Sequence, residues 1–180
     1  KALNFIHELA LKDGFKSTNY ENKVVEILCG NQEKNITILA HADVVPEGQG
    51  WDHNPFTVKI KDDILYGRGV ADDKGPLLAS YYALKALRDN NLLGNYQVRF
   101  IVGGNEESGS QGVEYYFNTL KAKQPTYGFS ADAEFPLIYA EKGIYTFKSS
   151  GRIKLNEVLS IEGGLAPNSV IEKCFIKKKK

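Results

Sequence analysis

The sequence contains 180 residues, 42% hydrophobic and 25% charged, which is typical of a folded soluble domain and argues against a disordered or low-complexity chain. Lysine and arginine total 23 against 22 acidic residues, and four of the lysines form the terminal run 177 to 180, so the rest of the chain is slightly acidic and lacks the basic face of a nucleic-acid-binding protein. No apolar run approaches the ~20 residues that cross a bilayer, and there are only two cysteines, so we expect a cytoplasmic protein without a membrane partner.

Helix and strand patterns alternate along the first half of the chain. Helix-like apolar spacing runs from Ala2 to Leu11 and ends at Asp13-Gly14. Strands are predicted at Val24 to Leu28, Ile36 to Ala40, Phe56 to Lys61 and Ile64 to Tyr66. The second of these is continuously apolar, as in a strand covered on both faces, and the last two form a predicted hairpin.

The second half continues this alternation. Helices are predicted at Pro76 to Leu87 and Gln111 to Leu120, and strands at Gln97 to Gly103, Tyr127 to Ala131, Leu137 to Ala140 and Ile144 to Lys148. The order predicts an α/β fold with a mostly parallel central sheet flanked by helices. Two further strands, Leu155 to Ile161 and Val170 to Lys177, predict the start of a second domain, which gives domains at residues 1–150 and 151–180.

Acidic and imidazole side chains follow the predicted strands, where open α/β sheets place their sites. The residues are His41, Asp43, Asp72, Glu106, Glu107 and Asp132. One imidazole with several carboxylates is a ligand set for Zn²⁺ or a similar divalent ion. Without cations, so many carboxylates in one cleft would repel one another. Two divalent ions would neutralise them, and a carboxylate left off the metal would act as a proton shuttle.

Simpler explanations exist for each candidate taken alone. Asp72-Asp73 precedes a helix and could cap it, Glu106-Glu107 could be a solvated turn, and Asp132 could accept a hydrogen bond at a strand end. None of these explains why the carboxylates recur in order at successive strand ends. The ordered set therefore favours the metal site.

These motifs resemble the aminoacylase, carboxypeptidase G and dipeptidase family of two-zinc metallopeptidases. The resemblance rests on the segments 41–46 (HADVVP), 66–75 (YGRGVADDKG), 106–110 (EESGS) and 129–136 (FSADAEFP), with Gly50-Trp51 and Pro55-Phe56 between them. The last segment, together with Glu141-Lys142-Gly143, is similar to the PepV-type, or Xaa-His, dipeptidases of bacteria. The resemblance covers roughly residues 1–145, and Gly163-Gly164 to Val170.

The resemblance implies a role for each candidate. His41 and Asp132 would bind one zinc, Glu107 the second, and Asp72 would bridge both; Mn²⁺ or Co²⁺ are the alternative ions. Glu106 would be the general base and Asp43 would orient the imidazole of His41 from behind. The Asp72-Asp73 peptide would be cis. The implied activity is hydrolysis of dipeptides, with a short peptide as the partner and no prediction for the oligomeric state.

One part of the family pattern is missing. Relatives take a last zinc ligand, a histidine, from near their C-terminus, whereas this sequence has only His7, His41 and His53. The sequence also begins without Met and contains none, so we expect a piece of a longer enzyme whose lid domain begins near residue 151. Two alternatives stay open: a related amidohydrolase (a desuccinylase, an acylamino-acid hydrolase or a tripeptidase), and a non-catalytic binding domain that retains the site.

Overall fold

The computed structural model describes residues 1–134, 136–151, 157–164, 170, 171 and 173–179. The helices are α1 (Ala2–Lys12), α2 (Gly75–Asp89) and α3 (Gln111–Glu114). The strands are β1 (Lys16–Tyr20), β2 (Val24–Cys29), β3 (Asn35–His41), β4 (Lys59–Lys61), β5 (Ile64–Tyr66), β6 (Gln97–Gly103), β7 (Tyr127–Ser130), β8 (Val158–Gly163) and β9 (Cys174–Lys178). None of the helices within the described residues is long and apolar enough to cross a membrane.

A five-stranded sheet in the order β1-β2-β6-β3-β7 organises the compact unit Lys1–Leu137. The predicted α/β class is confirmed, and β3 is parallel to both of its neighbours, β6 and β7. The other half of the sheet is antiparallel, which the sequence did not predict. The polar strand β1 returns directly into β2 through a short turn, and a connection that short permits only antiparallel pairing.

Buried side chains cover both faces of this sheet. On one face, α1 and α2 contribute Leu3, Ile6, Leu77 and Leu84 to a cluster that includes Phe100 of β6. The opposite face carries a smaller cluster of Val24, Ile101 and Tyr116. Because β6 is covered on both sides, its apolar run is almost continuous, as is that of β3. The two parallel strands that lead to the candidate site are therefore the best-buried part of the unit.

A buried cation ties β3 to the chain beyond α3. Arg99 of β6 is 4% exposed and donates to the Thr37 hydroxyl at 3.2 Å and to the Lys123 carbonyl at 2.6 Å. On the same face the Tyr116 hydroxyl donates to the Glu26 carboxylate. Sequence patterns predict an apolar strand here and do not reveal that its one arginine points into the protein. The hydrogen bonds satisfy a charge that would otherwise be costly to bury.

Two of the predicted strands are wrong. Leu137 to Ala140 and Ile144 to Lys148 are described as irregular chain, and their apolar side chains are largely exposed: 92% for Tyr139 and 94% for Ile144. A strand requires a neighbour for its backbone N–H and C=O groups. No pairing partner for either segment exists among the described residues.

The unit Ile138–Lys180 contains a two-stranded antiparallel sheet of β8 and β9. These strands agree with the later parts of the two segments predicted in this region. Residues 155, 156, 165–169 and 172, also part of the predicted strands or of the resemblance, lie outside the described residues. The assignment of residues 151–180 to a second domain stays a prediction.

Truncating the centre of the sheet should be costly. Phe100 is fully buried, so Phe100→Ala is expected to lower the free energy of unfolding by about 3 to 5 kcal/mol through lost burial and a cavity. Phe5 of α1 is 65% exposed, and Phe5→Ala should change stability by no more than about 0.5 kcal/mol. Urea titration followed by circular dichroism measures both. Similar losses for the two variants would contradict the assignment of the core.

Candidate metal centre

The parallel strands bring the predicted ligands to one edge of the sheet. In the register of the sheet, His41 at the end of β3 pairs with Gly103 at the end of β6, and Leu39 of β3 pairs with Ser130 at the end of β7. The turns that follow β6 and β7 therefore emerge beside His41. They carry Glu106, Glu107 and Asp132.

His41 lies at the centre of the site. The residue is 2% exposed, and its Nε2 is 2.9 Å from Asp72 Oδ1 and 3.3 Å from Asp132 Oδ2. Its backbone N–H donates to Asp73 Oδ2 at 3.0 Å. Its other ring nitrogen, Nδ1, is 3.3 Å from Asp43 Oδ1 but does not form a hydrogen bond with it. One ring nitrogen of His41 thus faces the carboxylates of Asp72 and Asp132, while its backbone N–H is bound by Asp73.

Asp72 reaches the site from a tight bend between the β4–β5 hairpin and α2. Gly69 has a φ of +84°, and a Cβ there would lie 2.5 Å from Val44 Cγ1, so the close approach requires glycine. Asp72 itself has an extended backbone within an otherwise helical turn. The Asp72-Asp73 peptide is cis, as the resemblance implied. The two adjacent aspartates have different surroundings: the side chain of Asp72 is 59% exposed, whereas Asp73 is fully buried.

Hydrogen bonds around Arg68 join this bend to the loop after β3. The Arg68 guanidinium donates to the Glu47 carbonyl at 3.0 Å, and its backbone N–H donates to the Pro55 carbonyl at 2.7 Å. The Trp51 indole donates to the same Glu47 carbonyl at 2.7 Å, with its ring 5.6 Å from the guanidinium. The Gly-Trp and Tyr-Gly-Arg-Gly motifs are therefore parts of one local structure that carries Asp72.

Asp43 fixes the acidic turn after β6. Its Oδ1 accepts the Glu106 backbone N–H at 3.1 Å, and its Oδ2 accepts the Glu107 backbone N–H at 3.2 Å. These two donors begin a short 3₁₀ turn and would otherwise lack intrahelical partners. The resemblance implied that Asp43 would accept the other imidazole N–H of His41, but that pair of atoms is 3.3 Å apart without a hydrogen bond. The bonds to the acidic turn were not predicted, and they make Asp43 the link between the ends of β3 and β6.

Among the described residues, two groups of side chains have ligand atoms within 4.8 Å of one another: His41, Asp72 and Glu107 form one, and His41, Asp73 and Asp132 the other. Glu106 belongs to neither group. Within the part of the chain that the structure describes, Glu107 Oε1 and Asp73 Oδ1 are buried without a hydrogen-bond partner. Oxygen atoms left in this state, beside an imidazole, fit a divalent cation with nitrogen and oxygen ligands.

The carboxylates disturb one another's ionisation. Burial raises the pKa values of Glu106, Glu107 and Asp73, and neighbouring carboxylates raise them further. For His41, burial acts to lower the pKa, but the charge of Asp132 and the other carboxylates outweighs it and raises the pKa above the ordinary value. A bound cation would favour the ionised carboxylates and the neutral imidazole, because it reverses the sign of the local charge.

The predicted residues thus come together: His41, Asp43, Asp72, Glu106, Glu107 and Asp132 all lie at this edge. Sequence reasoning missed the contribution of Asp73. The sequence shows Asp73 as the second member of an Asp-Asp pair, but only the structure shows that its side chain is buried and binds the backbone N–H of His41. No sequence pattern distinguishes a buried aspartate from an exposed one at that position.

Comparison with known proteins agrees with this geometry. The model of peptidase family M20/M25/M40 matches residues 37–161, which include every candidate ligand. The chain belongs to this family. The family assignment confirms the resemblance that the sequence motifs carried, and the match runs from within β3 to within β8.

Individual relatives within the M20 family are longer than this chain. A Staphylococcus aureus (strain USA300) protein named "Putative dipeptidase" is 44% identical over 147 residues, which are 82% of this chain and 31% of that protein. The M20 metallo-carboxypeptidase Sso-CP2 of Sulfolobus solfataricus is 35% identical with a TM-score of 0.63, covering 73% of this chain and 32% of its own. The di-peptidase Dug1p of Saccharomyces cerevisiae is 27% identical with a TM-score of 0.54, covering 64% and 29%. The chain thus spans about a third of the length of these relatives.

Removing Asp43 should weaken metal binding without unfolding the protein. Asp43→Ala frees the backbone of the acidic turn, so the affinity for Mn²⁺, measured by isothermal titration calorimetry, is expected to fall about 10- to 100-fold. Asp43→Asn keeps one acceptor oxygen and should lose less. Asp52→Ala, in the loop after β3 but with a side chain 73% exposed, serves as the control and should bind like the parent. Equal affinities for Asp43→Ala and the control would contradict the role of Asp43.

Proposed function

We propose that this protein is the site-bearing part of a metallodipeptidase that hydrolyses the peptide bond of dipeptides with two zinc ions. The observation that carries the proposal is the division of the acidic pair: Glu107 belongs to a group of candidate ligands, whereas the adjacent Glu106 does not. A hydrolase that activates water needs both a metal-binding carboxylate and a separate base. Membership of the M20 family supports the same reaction class.

The proposed ligand assignment keeps the roles that the resemblance implies. His41 and Asp132 would hold one ion, Glu107 would hold the other, and Asp72 would contribute to both; the groups His41, Asp72, Glu107 and His41, Asp73, Asp132 support the proximity of these side chains. The 2.9 Å separation of His41 Nε2 and Asp72 Oδ1 supports a shared position for these two donors. Two divalent cations would supply Lewis acidity, polarising the scissile carbonyl and lowering the pKa of water.

Glu106 is the proposed general base. Burial and nearby carboxylates raise the pKa of its carboxyl, which makes it a stronger proton acceptor once ionised. Its backbone N–H is held by Asp43, and its carboxyl lies near enough to His41 and Asp132 for their charges to act on its pKa. Glu106 takes a proton from the attacking water and delivers it to the leaving amine, so the same residue serves both halves of the reaction.

Short peptides are the proposed substrates because the S. aureus relative, at 44% identity, is named as a dipeptidase. The 35% identity to a metallo-carboxypeptidase favours a second candidate, removal of C-terminal residues from longer peptides. Both reactions use the same water activation and differ in how much peptide the site admits. Other amidohydrolases that act on acylated or succinylated amino acids are the remaining alternatives within this chemistry.

Replacing the base should separate turnover from metal binding. Glu106→Gln keeps the size and removes the proton acceptor, so kcat is expected to fall roughly 10²- to 10⁴-fold with metal content nearly unchanged. Glu107→Gln, one residue along the same turn, should instead reduce the bound metal. Metal content is measured by plasma emission spectrometry of the dialysed protein. Loss of metal in Glu106→Gln would contradict its assignment as the base.

Metal removal tests the cofactor and the substrate class together. Chelation should abolish hydrolysis by the full-length protein, and Zn²⁺ should restore it, with Mn²⁺ and Co²⁺ tested in parallel. A panel of dipeptides, tripeptides, longer peptides and acylated amino acids, followed by chromatography, should show the highest kcat/KM on dipeptides. Preference for longer peptides would favour the carboxypeptidase, and no turnover in any metal form would favour a binding domain.

A further inference from the structure

Asp73 has no place in the proposed mechanism, yet its surroundings are unusual. The residue is fully buried, and one carboxylate oxygen accepts the backbone N–H of His41 at 3.0 Å. The other oxygen, Oδ1, has no hydrogen-bond partner within the described residues. A buried carboxylate with one oxygen left in this state is normally avoided, because the desolvated charge has lost its water without full replacement.

The charges that surround Asp73 increase this cost. Asp132 belongs to the same three-residue group as Asp73 and His41, and Asp72 is the preceding residue. The one hydrogen bond from the His41 backbone offsets part of the cost of burial. The His41 imidazole and the Lys74 amine lie near enough for their charges to act on the Asp73 carboxylate, but within the described residues neither forms a hydrogen bond with its Oδ1.

We propose that Asp73 is a positioning residue for the first metal: it holds the main chain of His41 through one oxygen and supplies a buried negative charge whose other oxygen has no hydrogen-bond partner in the cation-free protein. Two consequences follow from that arrangement. In the cation-free protein the charge lowers stability, because it is buried among other carboxylates. In the metal-bound protein the same charge raises the affinity, because it lies beneath a ligand and acts through a medium of low dielectric constant. The inference rests on the proposed metal site.

Asparagine separates these effects, since Asp73→Asn keeps an acceptor oxygen for the His41 N–H and removes only the charge. In the chelator-treated protein, Asp73→Asn is expected to raise Tm by roughly 2 to 4 °C. Mn²⁺ affinity, measured by calorimetry on the same protein at the same pH, should fall about tenfold with the stoichiometry of the parent. If Asp73 served only as a hydrogen-bond acceptor, asparagine would keep that bond and Tm would not rise, so a higher Tm together with a weaker Mn²⁺ affinity identifies the effect of the charge.

Two further variants complete the experiment. Glu8→Gln removes one negative charge from the exposed face of α1 and should leave both Tm and Mn²⁺ affinity unchanged. Asp73→Glu keeps the charge in a longer side chain and is used if Asp73→Asn does not fold. The proposal is supported if cation-free Asp73→Glu has a Tm no higher than that of the parent and binds Mn²⁺ with the parent's stoichiometry. Loss of one equivalent of Mn²⁺ overturns it.

The outcomes for Asp73→Asn are equally distinct. A lower Tm in the cation-free protein, or an unchanged Mn²⁺ affinity, overturns the proposal, and loss of one equivalent of Mn²⁺ would make Asp73 a direct ligand instead. If the parent protein binds no Mn²⁺, the proposed function fails along with this inference. If the parent binds Mn²⁺ and Asp73→Asn does not differ from it, only the inference about Asp73 fails.

Discussion

The repulsion among carboxylates around one buried imidazole is the constraint on which the site depends. His41 is almost inaccessible to solvent, and Asp72, Asp73 and Asp132 all contact it or its backbone. Such a group can be held together only by a rigid support. The parallel strands β3 and β6 provide that support, because both faces of each strand are covered and neither can shift without exposing apolar surface.

The support extends through backbone hydrogen bonds rather than through contacts between functional side chains. Asp43 binds the N–H groups of Glu106 and Glu107, Asp73 binds the N–H of His41, and Ser130 donates to the Leu39 carbonyl at 3.0 Å. The first three bonds join the end of β3 to neighbouring turns, and the last joins the end of β7 to β3. Side chains that carry reactive groups are thus fixed by their main chain, which leaves their own oxygen and nitrogen atoms free for ligands.

The sequence predicted the elements that have strong apolar patterns. The strand Gln97–Gly103 is observed with the predicted bounds, and the helix that begins near Pro76 is one residue longer at its start. The polar strand Lys16–Tyr20 was missed because half-exposed residues carry no period-two pattern, and its place in the sheet depends on β2. The segment Ile144 to Lys148 has a strand-like composition without a partner strand in the described structure, which shows that composition alone does not determine pairing.

The candidate site was predictable for a different reason, which also explains what was missed. Parallel strands bring their carboxyl ends to one edge, so the residues that follow β3, β6 and β7 converge whatever the details of the loops. Roles that depend on the direction of a side chain are not available from that rule. Asp72 and Asp73 are adjacent and chemically identical, yet the side chain of Asp72 is 59% exposed, whereas Asp73 is fully buried and accepts the backbone N–H of His41.

Stability and function oppose each other at this edge of the sheet. Burial raises the pKa values of Asp73, Glu106 and Glu107, so each folded carboxyl resists ionisation more than its unfolded counterpart, and stability is lost as pH rises above the unfolded pKa values. The burial of the apolar clusters on both faces of the sheet must offset this loss of folding free energy. A cation that bound only the folded protein would restore this free energy through mass action, so folding and cation binding would be coupled through these carboxylates.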